Sequence, residues 1–191
     1  DGGKYMNGDP SVTTWYKPVN PGDTLVLSAN YSWSYFSIAE YSGTADCPIV
    51  IQNEGGETWL TAGLQVNNCK YIKITGAGDQ NSYYGFKVYN TAADLNGVAV
   101  TIAGKSKNIE VERVDAYRKT YGVWAKQDPQ CDQSYNYPNW TMDSIEIHHC
   151  RFRNIGQDCI YAGNTDPLGK RTEYCGGQAV HYMPMRLSNI N

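Results

Sequence analysis

An all-β solenoid is the fold class that this sequence predicts. Helical periodicity is nearly absent. In its place stand short runs with period-two alternation, among them TLVLSA, FSIAEY, PIVIQNE, YIKITG, GFKVYN, GVAVTIAG, NIEVERV, YGVWAK and SIEIHHC, each bounded by Gly, Asn, Asp or Pro. A strand-containing module also recurs. YIKITGAGDQNSYYGFKVYN, NIEVERVDAYRKTYGVWAKQD and SIEIHHCRFRNIGQDCIYAGN align so that Ile72, Ile109 and Ile145 fall at spacings of 37 and 36 residues, and Gly85 and Gly122 again 37 apart. A sandwich of hairpins has no reason to repeat a strand–corner–strand module in this way, whereas a solenoid must.

With the modules in register, alternation sets the facing of each side chain. Ile72, Ile109 and Ile145 point inward, as do Ile74, Val111 and Ile147. Between them Lys73–Glu110–Glu146 and Thr75–Glu112–His148 stack on the outside, about 4.8 Å apart per rung. On the following strand Phe86, Val123 and Ile160 go in, while Lys87, Trp124 and Tyr161 go out with Tyr89 and Lys126 beside them. The last two modules exit through AKQDP and GNTDP into excursions near 127–143 and 164–187, each holding one cysteine. Equivalent exits bring the two loops together and make Cys131–Cys175 the expected disulfide. Cys47 and Cys69, each shortly before a strand, form a second candidate pair. Cys150 and Cys159 alternate inward and are expected as buried thiols.

Bulk properties narrow the function. The chain has 191 residues, the size of one ordinary domain. A net charge of −3 leaves no basic footprint for nucleic acid. Sixteen Tyr and five Trp exclude a disordered chain and suit a surface that stacks on rings. No apolar run approaches the roughly 20 residues of a membrane helix, so no membrane span is expected. Six cysteines without any C-x-x-C pair point to an oxidising compartment and away from structural zinc. The chain opens at Asp1 without Met and closes on LSNIN, which reads as the start of another turn. A trimmed chain, with further coils or a partner at its C-terminal end, is the expectation.

A resemblance adds to this reading. NPGDTLVLSANYSWSYFSIAEYSGTADCPIVIQNEGG, residues 20–56, resembles the opening segment of right-handed parallel β-helices of the pectate-lyase-like superfamily. There a P-G-D-T turn leads into the first strand and an S-G-T…P-I-x-I segment starts the coil. The later I-x-I…G rungs match that repeat, so the similarity covers most of the chain from Asn20 onward. It implies one β-helix over residues 1–191, the N-terminal portion of such a fold, with 1–46 as cap and 47–191 as coils. It further implies an extracellular or cell-surface protein whose partner is a polysaccharide or surface glycan. Polysaccharide lyase and glycoside hydrolase are the enzyme classes it suggests. Because the fold hosts many functions, a non-catalytic glycan-binding or adhesin module and a structural subunit of a surface assembly stand beside them.

Candidate site residues follow. Trp124 and Tyr161, with Lys87, Tyr89 and Arg118, would form a platform for a sugar ring and its acidic substituents, unless neighbouring loops cover the rings. A lyase needs a base and a cation against the uronate. Lys126, Lys87 and Arg118 are the candidate bases, and Asp128 with Asp166 the candidate Ca²⁺ ligands. The alternative is that both aspartates simply begin Asp-Pro turns. His148, beside Glu112 on the outer ladder, and His181 are candidate acid–base groups. Asp158 lies in GQDCIYAGNTDP, which is similar to the N-T-D and D-D-C-I elements of polygalacturonase-type hydrolases. Here their order is reversed, Gln157 replaces the first Asp, and G-H-G is absent, so a turn role for Asp158 is the competing reading.

Overall fold

The computed structural model describes residues 4–6, 18–91, 95–128, 130–163, 171–182 and 186–190, with backbone alone for 4–6, 171–174, 178–182 and 186–190. The first strands are β1 (Lys4–Met6), β2 (Thr24–Ser28), β3 (Trp33–Ala39), β4 (Ile49–Glu54) and β5 (Thr58–Asn67). Then come β6 (Lys70–Thr75), β7 (Phe86–Tyr89), β8 (Val98–Ala103), β9 (Lys107–Glu112), β10 (Val114–Tyr117) and β11 (Tyr121–Ala125). The last are β12 (Thr141–His148), β13 (Arg151–Arg153), β14 (Ile160–Ala162), β15 (Arg171–Cys175), β16 (Gln178–Tyr182) and β17 (Arg186–Ile190). A single 3-10 turn, Gln133–Tyr135, is the only helical element among the described residues.

The molecule is all-β, with parallel strands in curled sheets. One sheet runs β1-β2-β4-β6-β9-β12-β17; the other runs β13-β10-β7-β5-β8-β11-β14, with β3 also on β5. Among the described residues only the β15–β16 hairpin is antiparallel. Three strands make one repeat: β6, β7 and β8 pair with β9, β10 and β11, and these with β12, β13 and β14. The repeat therefore holds three strands where two were expected. Its length stays near 37 residues because the connections trade: one residue separates β9 from β10 where the loop 76–85 separates β6 from β7, and the long connection from β11 to β12 makes up the difference.

β-branched side chains fill the interior, as pleated, half-buried surfaces favour. Ile49, Ile72, Ile109 and Ile145 stack in register and are almost fully buried. Left-handed residues recur at the same spacing, inside β6, β9 and β12 and at the corners that follow β9 and β12. Tyr71, Asn108 and Ser144 have φ of 53°, 55° and 55°, and Arg113 and His149 have 54° and 52°. β5 bends at Gly63, whose φ is +152° and where an added Cβ would lie 2.4 Å from the Val98 carbonyl oxygen. Lys119 holds the same bend. Its buried ammonium donates to the carbonyls of Thr61 at 2.6 Å and Ala62 at 2.8 Å.

Several expectations need correction. Phe86 does not lie over Val123: it pairs with Val114, while Val123 lies between Val100 and Ile160. Ile160 is in register with fully buried Val123 yet is 46% exposed, because β14 is the edge strand of its sheet among the described residues. Cys159 is exposed for the same reason, and Cys150 is half-buried. Cys47 and Cys69 are not bridged: the first is exposed and the second buried. Cys131 and Cys175 do form a disulfide, which ties the 127–143 excursion to β15.

Candidate functional site

The strand register writes two rows of side chains onto the outer surface of β5, β7, β10 and β13. One row is Trp59, Lys87, Asp115 and Arg151; the next is Tyr89, Tyr117 and Arg153. Asp115 is the centre. Its carboxylate is fully buried and accepts from Arg151 Nη2 at 2.5 Å, Tyr89 Oη at 2.6 Å, Arg153 Nη2 at 3.0 Å and Lys87 Nζ at 3.4 Å. Burial works to raise the Asp115 pKa. The hydrogen bonds from Arg151, Tyr89 and Arg153 outweigh it and hold the carboxyl well below the usual carboxylate range. Lys87 turns its other side to Glu57, 3.0 Å away.

Aromatic rings surround these charges. Trp59, 47% exposed, packs edge-on against Tyr89 at 4.8 Å, and Tyr89 lies 5.3 Å from Tyr117. Arg153 sits over Tyr117 at 5.1 Å, Arg151 over Tyr84 at 4.6 Å, and Arg113 over Tyr83 at 5.2 Å. Stacked guanidinium groups keep their planes fixed and leave their edges free to donate.

Lys87 and Tyr89 thus belong to this surface, whereas Trp124 and Tyr161 lie in register with each other on the β8–β11–β14 part of the sheet. There Lys126 covers the rings. Its ammonium is 5.3 Å from the Trp124 ring and 5.5 Å from that of Tyr161, pairs with Asp128 at 3.0 Å, and leaves the side chain 9% exposed. Arg118 occupies a left-handed corner after β10, and its N–H donates to the Arg153 carbonyl. Asp158 is exposed before β14 and its carbonyl accepts from Gly122 N–H. Asp166 and the side chain of His181 lie outside the described residues.

The first sheet carries a second cluster, on the outer ladder that alternation predicts. Lys73 Nζ is 2.6 Å from Glu110 and 3.0 Å from Glu112, and His148 Nε2 is 3.2 Å from Glu110. His148 and His149 face each other through their Nδ1 atoms at 2.7 Å. Glu110, Glu112 and His148 bring ligand-type atoms within 4.8 Å of one another, with the Lys73 ammonium already held among the carboxylates. Burial works to raise the Glu112 pKa, yet hydrogen bonds from Thr75 and Lys73 bring it below the ordinary value. A groove of about 310 Å³ adjoins, lined by Tyr71, Lys73, Asn108, Glu110, Ser144 and Glu146. Lys126 directly follows β11 of the second sheet, whereas His148 ends β12 of the first.

Trp59, Asp115, Tyr117, Arg151 and Arg153 escaped the sequence reading. The signal was present for part of this set, since Asp115–Arg151 and Tyr117–Arg153 repeat at 36 residues, but Lys87–Asp115 falls at 28. The chain matches no protein-family model, no curated protein and no solved structure.

Proposed function

We propose that the chain is a right-handed parallel β-helix of the pectate-lyase-like kind that engages a polysaccharide along the outer surface of β5, β7, β10 and β13. The aromatic strip of exposed Trp59 with half-buried Tyr89 and Tyr117 carries this reading. Sugar rings present C–H faces that pack on aromatic rings, and three rings on successive rungs match an extended chain better than a closed pocket would. The Cys131–Cys175 disulfide fits an oxidising, extracellular setting, and no helix among the described residues is long and apolar enough to cross a membrane. Affinity electrophoresis in gels containing single polysaccharides tests it. Retardation in at least one gel, reduced by Trp59→Ala, is the expected result. Free migration in every gel would remove the reading.

A catalytic variant of this function rests on one observation. Lys73, Glu110, Glu112 and His148 place an ammonium, two carboxylates and an imidazole beside the groove on the first sheet. Those groups span the proton donors and acceptors that a lyase or a hydrolase requires. Product mass spectrometry separates the outcomes: unsaturated oligosaccharides indicate a lyase, hydrated ones a hydrolase, and intact polymer a binding module.

A further inference from the structure

Asn96 and Gly97 make the corner that leads into β8, and they are the one Asn-Gly pair among the described residues. Both are exposed, and Gly97 takes a φ of +74°. Glycine accepts that left-handed backbone without strain, and the missing Cβ leaves its nitrogen open to approach. Among the described residues neither the Asn96 carboxamide nor the Gly97 N–H makes a hydrogen bond.

The residues on either side of Asn96 are held. The Leu95 carbonyl accepts from Thr120 Oγ1 at 3.4 Å, and a Cβ added to Gly156 would lie 2.9 Å from Leu95 Cδ1. The Gly97 carbonyl accepts from the N–H groups of Thr120 at 2.9 Å and Tyr121 at 3.3 Å, which sets the start of β11 against β8. A Cβ on Gly97 would lie 3.8 Å from Lys119 Nζ, so this backbone also walls the buried ammonium.

We propose that Asn96–Gly97 is a site of spontaneous modification, which water converts to aspartate and isoaspartate. The Gly97 nitrogen, having lost its proton to a base in solution, attacks Asn96 Cγ. The new N–C bond closes a cyclic succinimide, and the side-chain nitrogen leaves as ammonia. Water then opens the ring. Attack at Cγ gives aspartate; attack at the α-carbonyl gives isoaspartate, in which the main chain runs through Cβ and Cγ. Either product adds one negative charge to a chain whose net charge is −3. Isoaspartate alone also lengthens the main chain by a methylene. With Leu95 and Gly97 both held, that extra carbon displaces the contacts to Thr120 and Tyr121. The proposal stands independently of the glycan reading.

The experiment incubates the purified chain at neutral pH and in mild base, in native buffer and in urea, and follows it by peptide mass mapping. The peptide that holds Asn96 should show the amide-to-acid mass change and accept a methyl group from a protein isoaspartate methyltransferase. Conversion should speed up with pH and run no more than about tenfold slower than in urea, because exposed corners open at little cost. Asn81, exposed before Ser82, should lag far behind, since a side chain on the following residue hinders the attacking nitrogen. Asn96→Gln, whose longer side chain closes a larger ring slowly, should remove the mass change from that peptide. In the isoaspartate fraction the Thr120 and Tyr121 amide hydrogens should exchange about tenfold faster than in fresh protein. Asn96→Asp, which supplies the charge alone, should exchange them at the wild-type rate. Conversion of Asn96 in urea with none in native buffer would overturn the site. Conversion that leaves Thr120 and Tyr121 exchange unchanged would overturn its effect on the β8–β11 corner.

Discussion

Arg151 lies directly opposite Asp115 on the neighbouring strand, and its Nη2 stands 2.5 Å from a carboxylate that no solvent reaches. The pair joins β13, an edge strand of its sheet among the described residues, to β10, so the same contact that arranges the surface cations also holds β13 in place. Removing either partner has both consequences.

Asp115→Asn should therefore destabilise the fold by about 2–3 kcal/mol, less than a fully enclosed pair would lose, because both arginines reach solvent. The effect has a pH signature. The folded carboxyl titrates below its unfolded value, so its contribution is complete above about pH 4 and is withdrawn as the pH falls through the folded pKa. Urea unfolding of wild type and Asp115→Asn at a series of pH values should give a gap that closes in acid. A gap that is constant down to pH 2 would contradict the assignment.

Lys119 predicts a rise with pH as well, displaced into base. Burial pushes its pKa below the ordinary lysine value, so between that depressed value and the unfolded value of about 10.4 the unfolded chain binds more protons. Wild type should gain stability relative to Lys119→Met as the pH rises through this window. Parallel melting temperatures with no change in their difference would show that burial does not lower the Lys119 pKa and that the folded amine keeps its proton as in the unfolded chain.

What was legible in the sequence and what was not divides along the position of the loops. Lys73–Glu110–Glu146 and Thr75–Glu112–His148 could be written down in advance, because nothing disturbs the 37- and 36-residue spacing from β6 to β9 to β12. The β7–β10 pairing hides because the 76–85 loop precedes β7 and has no counterpart before β10, which shortens the spacing of Lys87 and Asp115 to 28. Gly85 and Gly122 match at 37 for an unrelated reason, one preceding β7 and the other inside β11. Alternation states that Asp115 points out, but its burial comes from Tyr89, Arg151 and Arg153 on neighbouring strands, which no local pattern contains.

Trp124 and Trp59 separate the two aromatic surfaces. Lys126 spreads over Trp124 and Tyr161, and that interaction contributes about 0.5–1 kcal/mol in addition to ring burial. Trp124→Ala should lower stability by roughly 2–3 kcal/mol, reduced from a core tryptophan because the ring is only half-buried. It should leave migration through polysaccharide gels unchanged. Trp59→Ala should do the reverse, weakening retention with a stability change below about 1 kcal/mol. Loss of retention on Trp124→Ala in a folded protein would return the binding platform to β11 and β14.

The cysteines give a test that needs no ligand. Cys131 and Cys175 should appear as one linked peptide pair in mass mapping without reductant, and reduction should cost up to about 4 kcal/mol by the loop-entropy account for a separation of 44 residues. The four free thiols should then separate by environment. Cys47 and Cys159 are exposed and should alkylate in the native protein. Cys69 is buried, and desolvation raises its pKa; Cys150 is pushed up to about 11 by the same cause. Both are expected to stay as unreactive thiols at neutral pH until the fold opens. Rapid native labelling of Cys69 would show that the strand preceded by Cys69 does not pack as described, because that sulfur lies against the Ile38 and Asn67 carbonyls inside the core.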